Sequence, residues 1–190
     1  MLIISQNASN YAIPIPDEAV YRINLAWVND IKELENLLQK HLKHQIFLDL
    51  PQDRIKPPNN DYTLADLEEI LNSYKNIKYF AVSNVNSPKD LQKFITFIPK
   101  EITIVPKIES PEAISNIKKI VDVIPGAEKI VMLDHDDLYS ALIKNKESVT
   151  KFTEYIKTLK EFCDKNSVVL LRTIGVIFSD EEKRITQYKK

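Results

Sequence analysis

Seven short apolar runs recur along the chain, and between them lie stretches whose apolar residues return every three or four positions. The runs are Leu2–Ser5, Val20–Leu25, Gln45–Leu50, Lys78–Ser83, Ile102–Lys107, Lys129–Leu133 and Ser167–Arg172. A nearly continuous apolar strand needs cover on both faces, which is the situation of a strand in a parallel sheet. The intervening stretches read as amphipathic helices. Asn29–Leu42 sets Ile31, Leu34, Leu37, Leu38 and Leu42 on one stripe, and Thr63–Tyr74 does the same with Leu64, Leu67, Ile70 and Leu71. Ser87-Pro88 and Ser110-Pro111 each supply a capping hydroxyl followed by a proline suited to a first helical turn. They predict helices over Ser87–Ile98 and Ser110–Val123. A longer helix is expected over Ser148–Asp164, and a last one from Ser179 through Gln187.

Strands and helices that alternate in this way build an α/β domain on a parallel sheet with right-handed crossovers. Seven strands with helices outside favour a TIM-type (β/α) barrel, short or incomplete. The rival is an open, doubly wound sheet. A complete eight-stranded barrel takes about 250 residues, with about 200 near the floor; this chain has 190. No linker or repeat divides it, so residues 1–190 are read as one domain. The link from Ser5 to Val20 carries Pro14 and Pro16 and little helical pattern, and is expected to be an extended loop.

Composition narrows the function classes. The net charge is -1 and the lysines are spread out, so no field recruits nucleic acid or an anionic membrane. No run approaches the roughly 20 apolar residues of a membrane span. The opening Met1–Ser5 is too short an apolar run for a leader, and a cytoplasmic location is expected. One cysteine, Cys163, excludes a disulfide framework and a cysteine zinc site within the chain; it reads as a buried, inert thiol. With two glycines in the chain, neither G-x-G-x-x-G nor a P-loop is present.

In barrels, active residues gather at the C-terminal ends of the strands. Those ends carry Arg22 and Asn24, then Asp49, Ser83, Lys107 and Glu109, Asp134 to Asp137, and Arg172 and Thr173. Lys107 and Glu109 share a face if the strand runs that far. Hard carboxylate oxygens from neighbouring strand ends suit Mg²⁺ or Mn²⁺. Asp134, Asp136 and Asp137 read equally as caps of a following short helix, and Glu109 as a first-turn acid. His135 is open between ligand, base and exposed loop residue. His41 and His44 read as surface residues suited to a helix C-terminus, and Trp27 as a plug for the barrel mouth.

Six segments in register carry a resemblance. Tyr21-Arg-Ile-Asn-Leu-Ala-Trp27 resembles R-x-N-x-S-H, and Ile46-Phe-Leu-Asp-Leu-Pro-Gln-Asp-Arg-Ile-Lys56 resembles L-D-x-x-G-P-x-I-R. Lys78–Asp90 resembles D-x-I-A-x-S-F-V-R-x-x-x-D, and Val105–Ile117 resembles K-I-E-N-x-E-G-x-x-N-x. Val131–Leu138 resembles M-V-A-R-G-D-L-G, and Ser167–Thr173 resembles P-V-I-x-A-T-Q. These are motifs of pyruvate kinase-type barrels, of the phosphoenolpyruvate/pyruvate group. Glu109-Ser-Pro-Glu-Ala113 and Asp137-Leu-Tyr-Ser-Ala-Leu142 are also similar to citrate-lyase β-type and 2-keto-acid aldolase barrels.

The resemblance implies a divalent metal, Mg²⁺ or Mn²⁺, on Glu109 and Asp137. It implies that Lys107 stabilises charge at the reacting group and that Arg22 reaches a substrate phosphate. Asn24 and Asp49 match positions around a monovalent cation. Thr173, or Arg172 in the other register, matches the substrate-side threonine. Ser83 and His135 complete the substrate-side set, and Lys107, Arg22 and Thr173 the catalytic one. Departures limit what carries over. The serine and histidine after Asn24 are Ala26 and Trp27. The third strand's loop has Gln52, Asp53 and Lys56 in place of G-P and arginine, the arginine after Ser83 is Asn86, and the R-G before the metal aspartate is His135-Asp136. The short Pro57–Asp61 loop stands where the family inserts a lid domain, and the C-terminal allosteric domain has no counterpart. The expectation is a metal-dependent lyase or decarboxylase acting on phosphoenolpyruvate, pyruvate, oxaloacetate or a related 2-oxo acid, not an ADP-dependent kinase. The alternative is a degenerate, non-catalytic barrel used for binding or assembly. A homodimer is expected, closing the seam with Ile174, Val176, Ile177 and Phe178; the alternative seal is Met1–Pro16.

Overall fold

The computed structural model describes residues 1–6, 14–52 and 63–172. Seven strands form one sheet: β1 (Ile3–Ser5), β2 (Val20–Asn24), β3 (Gln45–Leu50), β4 (Ile77–Val82), β5 (Thr103–Ile108), β6 (Ile130–Leu133) and β7 (Val169–Arg172). Every neighbouring pair is parallel, and spatial order equals chain order from β1 to β7. A doubly wound sheet reverses its strand order part-way. This one never does, so the winding is that of a barrel. Among the described residues β1 and β7 remain edges, and the sheet is a curled, incomplete barrel.

Helices α1 (Ile31–Lys40), α2 (Leu64–Ser73), α3 (Pro88–Phe97), α4 (Pro111–Ser115), α5 (Ile117–Val123), α6 (His135–Lys144) and α7 (Lys151–Lys165) fill the crossovers. Their starts are built from side-chain caps. Asp30 accepts from the Glu33 N–H at 2.7 Å, Ser110 from Ala113 N–H at 3.1 Å, and Thr63 and Ser87 form capping boxes with Asp66 and Asp90. The single helix expected over Ser110–Val123 is two. Asn116 sits between α4 and α5 at φ -97° and ψ 5°, and its side chain donates to the Asn86 carbonyl at 3.0 Å, so the backbone turns there. The helix expected after Ser179, the Pro57–Asp61 loop and Thr173–Phe178 lie outside the described residues. Among the described residues, no helix is long and apolar enough to cross a membrane.

Strand alternation divides the apolar residues into two cores. One residue set faces the helices: Tyr21, Ile23, Leu48, Phe80, Ile104 and Leu133 pack against Leu34, Leu38, Leu67, Phe94 and Ile120. The other lines the concave face, where Val20, Phe47, Ala81, Val105, Ile130 and Met132 meet Ile3 of β1 and Leu171 of β7. Residues of both edge strands join one concave cluster only because the sheet curls.

His41 corrects the expectation of a surface histidine. It follows α1, but the chain turns at once into β3 and buries the ring against Tyr21, with centroids 3.7 Å apart and planes 15° apart. Its pKa falls to about 4, through burial first, then His44 and Lys40. It is therefore neutral at pH 7 and adds no charge to the helix terminus. Cys163 is buried as expected, and burial pushes its thiol up to about 11.

Candidate functional site

The concave face changes character along the strands. Its lower layers are apolar. The same alternation, continued toward the C-terminal ends, sets Arg22 and Asn24 on β2, Asp49 on β3, Ser83 after β4, Lys107 on β5 with Glu109 just beyond it, and Asp134 after β6. Period-two alternation therefore delivers a polar rim to the mouth.

Lys107 is its centre. The side chain is 2% exposed, yet its ammonium has four oxygen neighbours from separate strand ends. Glu109 Oε1 lies at 2.7 Å, Asp134 Oδ2 at 3.4 Å, Ser83 Oγ at 3.4 Å and Asp49 Oδ2 at 3.9 Å. Burial opposes the charge on Lys107 and is the largest single influence, but Asp49, Glu109 and Asp134 together outweigh it and its pKa rises above the ordinary lysine value. Burial raises Glu109, with Asp137 adding to the rise; Lys107 and the Asn84 N–H oppose it. That N–H donates to Glu109 Oε2 at 2.6 Å. It is aimed there by Asn84 at φ 55°, in the left-handed region that asparagine tolerates better than most residues.

On the other flank, Arg22 Nε donates to Asp49 Oδ2 at 3.0 Å, and its Nη2 also donates to that oxygen. Asp49 thus faces both Arg22 and Lys107. Asn24 uses its side-chain oxygen locally, accepting from the Ala26 N–H at 3.0 Å to cap the turn Leu25–Trp27. Arg172 Nη2 and His135 Nε2 are 3.1 Å apart at the β7 side. Burial, then Arg172, lowers the His135 pKa. Thr173 lies outside the described residues.

Asp134, expected at a strand end and as a helix cap, is not among the expected metal ligands Glu109 and Asp137. It does cap α6, accepting from the Asp137 N–H at 3.3 Å, but its other oxygen faces Lys107. Glu109, Asp134 and Asp137 each present an oxygen within 4.8 Å of the others. The alternation Ile130, Met132, Asp134 carried the signal. Asn84 had none, because its role rests on backbone geometry. Trp27 is 63% exposed and does not plug the mouth; Tyr139, 45% exposed, does not fill it either.

An acidic triad beside a buried lysine, at the C-terminal mouth of a singly wound parallel sheet, defines a barrel-type protein with a candidate cation site. Solved structures share the fold. RipC from Yersinia pestis matches 98% of this chain and 80% of its own, at 14% identity and a TM-score of 0.61. A pyruvate kinase from Cryptosporidium parvum matches 82% of this chain and 52% of its own, at 13% identity and a TM-score of 0.58. No family model matches the sequence, and no curated protein matches it at the sequence level. The likeness therefore establishes a pyruvate kinase-like or related barrel fold.

Proposed function

We propose that this protein is a metal-dependent enzyme acting on a 2-oxo acid, such as pyruvate or oxaloacetate, or on phosphoenolpyruvate, by lyase or decarboxylase chemistry. The observation that carries the reading is the triad of Glu109, Asp134 and Asp137 gathered beside the buried Lys107. All three donors are hard oxygens, the set that Mg²⁺ or Mn²⁺ takes while keeping water or substrate in its remaining positions. When bound, the ion supplies Lewis acidity to the carbonyl and carboxylate oxygens of the substrate. Lys107 places a positive charge beside that position, suited to an enolate oxygen. Asn84 holds Glu109 in place through its N–H. Arg22, 20% exposed, is the cation nearer solvent and suits the outer anionic group of the substrate.

Manganese binding followed by electron paramagnetic resonance tests the site. Glu109→Gln and Asp137→Asn are each expected to weaken binding without unfolding the protein; unchanged affinity in both would remove the hypothesis. Oxaloacetate or pyruvate with Mn²⁺ should raise the melting temperature, since ligand at about 100 times its Kd adds roughly 2.7 kcal/mol. With ADP and phosphoenolpyruvate, no Lys107-dependent ATP formation is expected.

The rival reading, a barrel kept for binding or assembly, draws support from the engagement of Arg22 with Asp49 rather than with open solvent. Metal-dependent turnover of oxaloacetate would decide against it. A homodimer remains part of the proposal, because β1 and β7 are sheet edges among the described residues and Val169 of β7 is 39% exposed. A single 22.0 kDa species across a dilution series in light scattering would exclude it.

A further inference from the structure

The Lys107 ammonium sits where the negative charge of the mouth is densest. Two of its carboxylate partners, Glu109 and Asp134, are also two of the three candidate metal ligands. An ammonium 2.7 Å from Glu109 Oε1 and a divalent ion at about 2.0–2.1 Å from the same acids would set two cations close together on shared carboxylates. Their repulsion favours moving the ammonium. Lys107 has a second berth within reach. Ser83 Oγ at 3.4 Å and Asp49 Oδ2 at 3.9 Å lie on the β4 and β3 side of it, away from β6. That berth is not vacant of charge: the same Asp49 oxygen holds Arg22 through Nε at 3.0 Å. Arg22 is the more exposed member of its pair, at 20% against 2% for Asp49.

We propose that Lys107 is the resident cation of this mouth, that a divalent ion enters by displacing it from Glu109 and Asp134 onto Asp49, and that this displacement loosens Arg22 toward solvent. The inference rests on the metal reading above and adds an order of events to it. Charged and polar groups run in one chain across five strand ends: Asp134 beyond β6, Lys107 and Glu109 at β5, the neutral Ser83 beyond β4, Asp49 on β3 and Arg22 on β2. A cation at the β6 end shifts Lys107 one step along that chain, and Arg22 at the β2 end is set free for an anionic group. Metal and anion would then bind with positive coupling, each favouring the arrangement the other needs. Asp49 touches neither ligand in this scheme; it is a positioning residue that receives Lys107.

A double-mutant cycle on Mn²⁺ affinity, read by electron paramagnetic resonance, tests it. Lys107→Met is expected to bind Mn²⁺ on the order of tenfold more tightly than the wild type, because nothing has to be displaced. Asp49→Asn is expected to weaken Mn²⁺ binding on the order of tenfold in the wild-type background and to have almost no effect in the Lys107→Met background. A plain through-space effect of the Asp49 charge would persist in both backgrounds, and that result would overturn the proposal. So would a Lys107→Met protein that binds Mn²⁺ as the wild type does or more weakly, while leaving the metal site itself standing. If neither the wild type nor Lys107→Met binds Mn²⁺, the metal reading falls and this inference with it. Should Lys107→Met fail to fold, Lys107→Gln replaces it in the same cycle, since it keeps most of the stem and a polar tip.

Discussion

Two groups of buried and half-buried ionisable side chains lie at opposite ends of this sheet, and they meet the cost of burial in opposite ways. At the C-terminal mouth, Lys107, Asp49, Glu109 and Asp134 are held together as charges. At the N-terminal end, where α1 turns into β3, His41 is neutral. It lies flat on Tyr21, with its Nδ1 3.4 Å from that of His44. Buried Nε2 atoms of both histidines lack a hydrogen-bond partner, and Asn76 ties the turn by donating to the carbonyls of His41 and His44 at 3.3 and 3.1 Å. Dropping a proton is the cheaper solution for an imidazole, whose ordinary pKa is close to neutrality. A lysine among three carboxylates keeps its charge because losing it would leave the acids unpaired. The difference separates two kinds of cluster: the charged one gathers carboxylate oxygens that could hold a further ion, and the neutral one does not.

The largest expected effect is at the mouth. Lys107→Met, measured by urea denaturation in chelator, should cost about 3–5 kcal/mol, the usual result of removing one partner from a buried ionic group. Mn²⁺ should restore much of that loss by replacing the missing cation. A cost below about 1 kcal/mol would mean that the carboxylates do not depend on Lys107, and the contrast between the two clusters would collapse.

The next effect belongs to the other end. His41 has a folded pKa of about 4, below the ordinary 6.5 that the unfolded chain offers. Between those values the unfolded chain binds the extra proton and the folded one does not, so stability falls as pH drops from 6.5 toward 4 and levels off below. By the conversion of about 1.4 kcal/mol per unit, the full loss is roughly 3 kcal/mol. His41→Phe keeps a ring on Tyr21 and removes the proton site. Its denaturation midpoint should therefore depend less on pH across that window. An equally steep dependence in the variant would assign the acid sensitivity elsewhere.

The smallest effect tests the support of the mouth. Asn84→Ala should cost about 1–2 kcal/mol, because alanine resists the left-handed conformation that aims the N–H at Glu109. Asn84→Gly adopts that conformation without strain, and should retain Mn²⁺ affinity better than the alanine variant. Equal affinities in the two variants would show that Glu109 needs no such guide.

Much of the fold was legible in local pattern. The caps at Ser87 and Ser110, the leucine stripes of α1 and α2, and the apolar runs all act within a few residues, so their physics is present in a short window of sequence. The polar rim was legible too, since Lys107 and Glu109 close an apolar run. Other features depend on register between strands far apart in the chain. Asp134 could be read as a cap from its neighbours, and it is one. That its second oxygen faces Lys107 follows only from β5 and β6 lying side by side, with Lys107 opposite Met132. His41 looked like a surface residue because its helix ends there; its burial follows from Tyr21, 20 positions earlier, being pressed against it by the β2–β3 pairing. The break at Asn116 needed a carbonyl from Asn86, 30 residues away. The sequence by itself determined the elements, their order and the polar character of one end, because these are short-range. The curl of the sheet decided which of those polar groups meet, because a charge finds its partner through space and not along the chain.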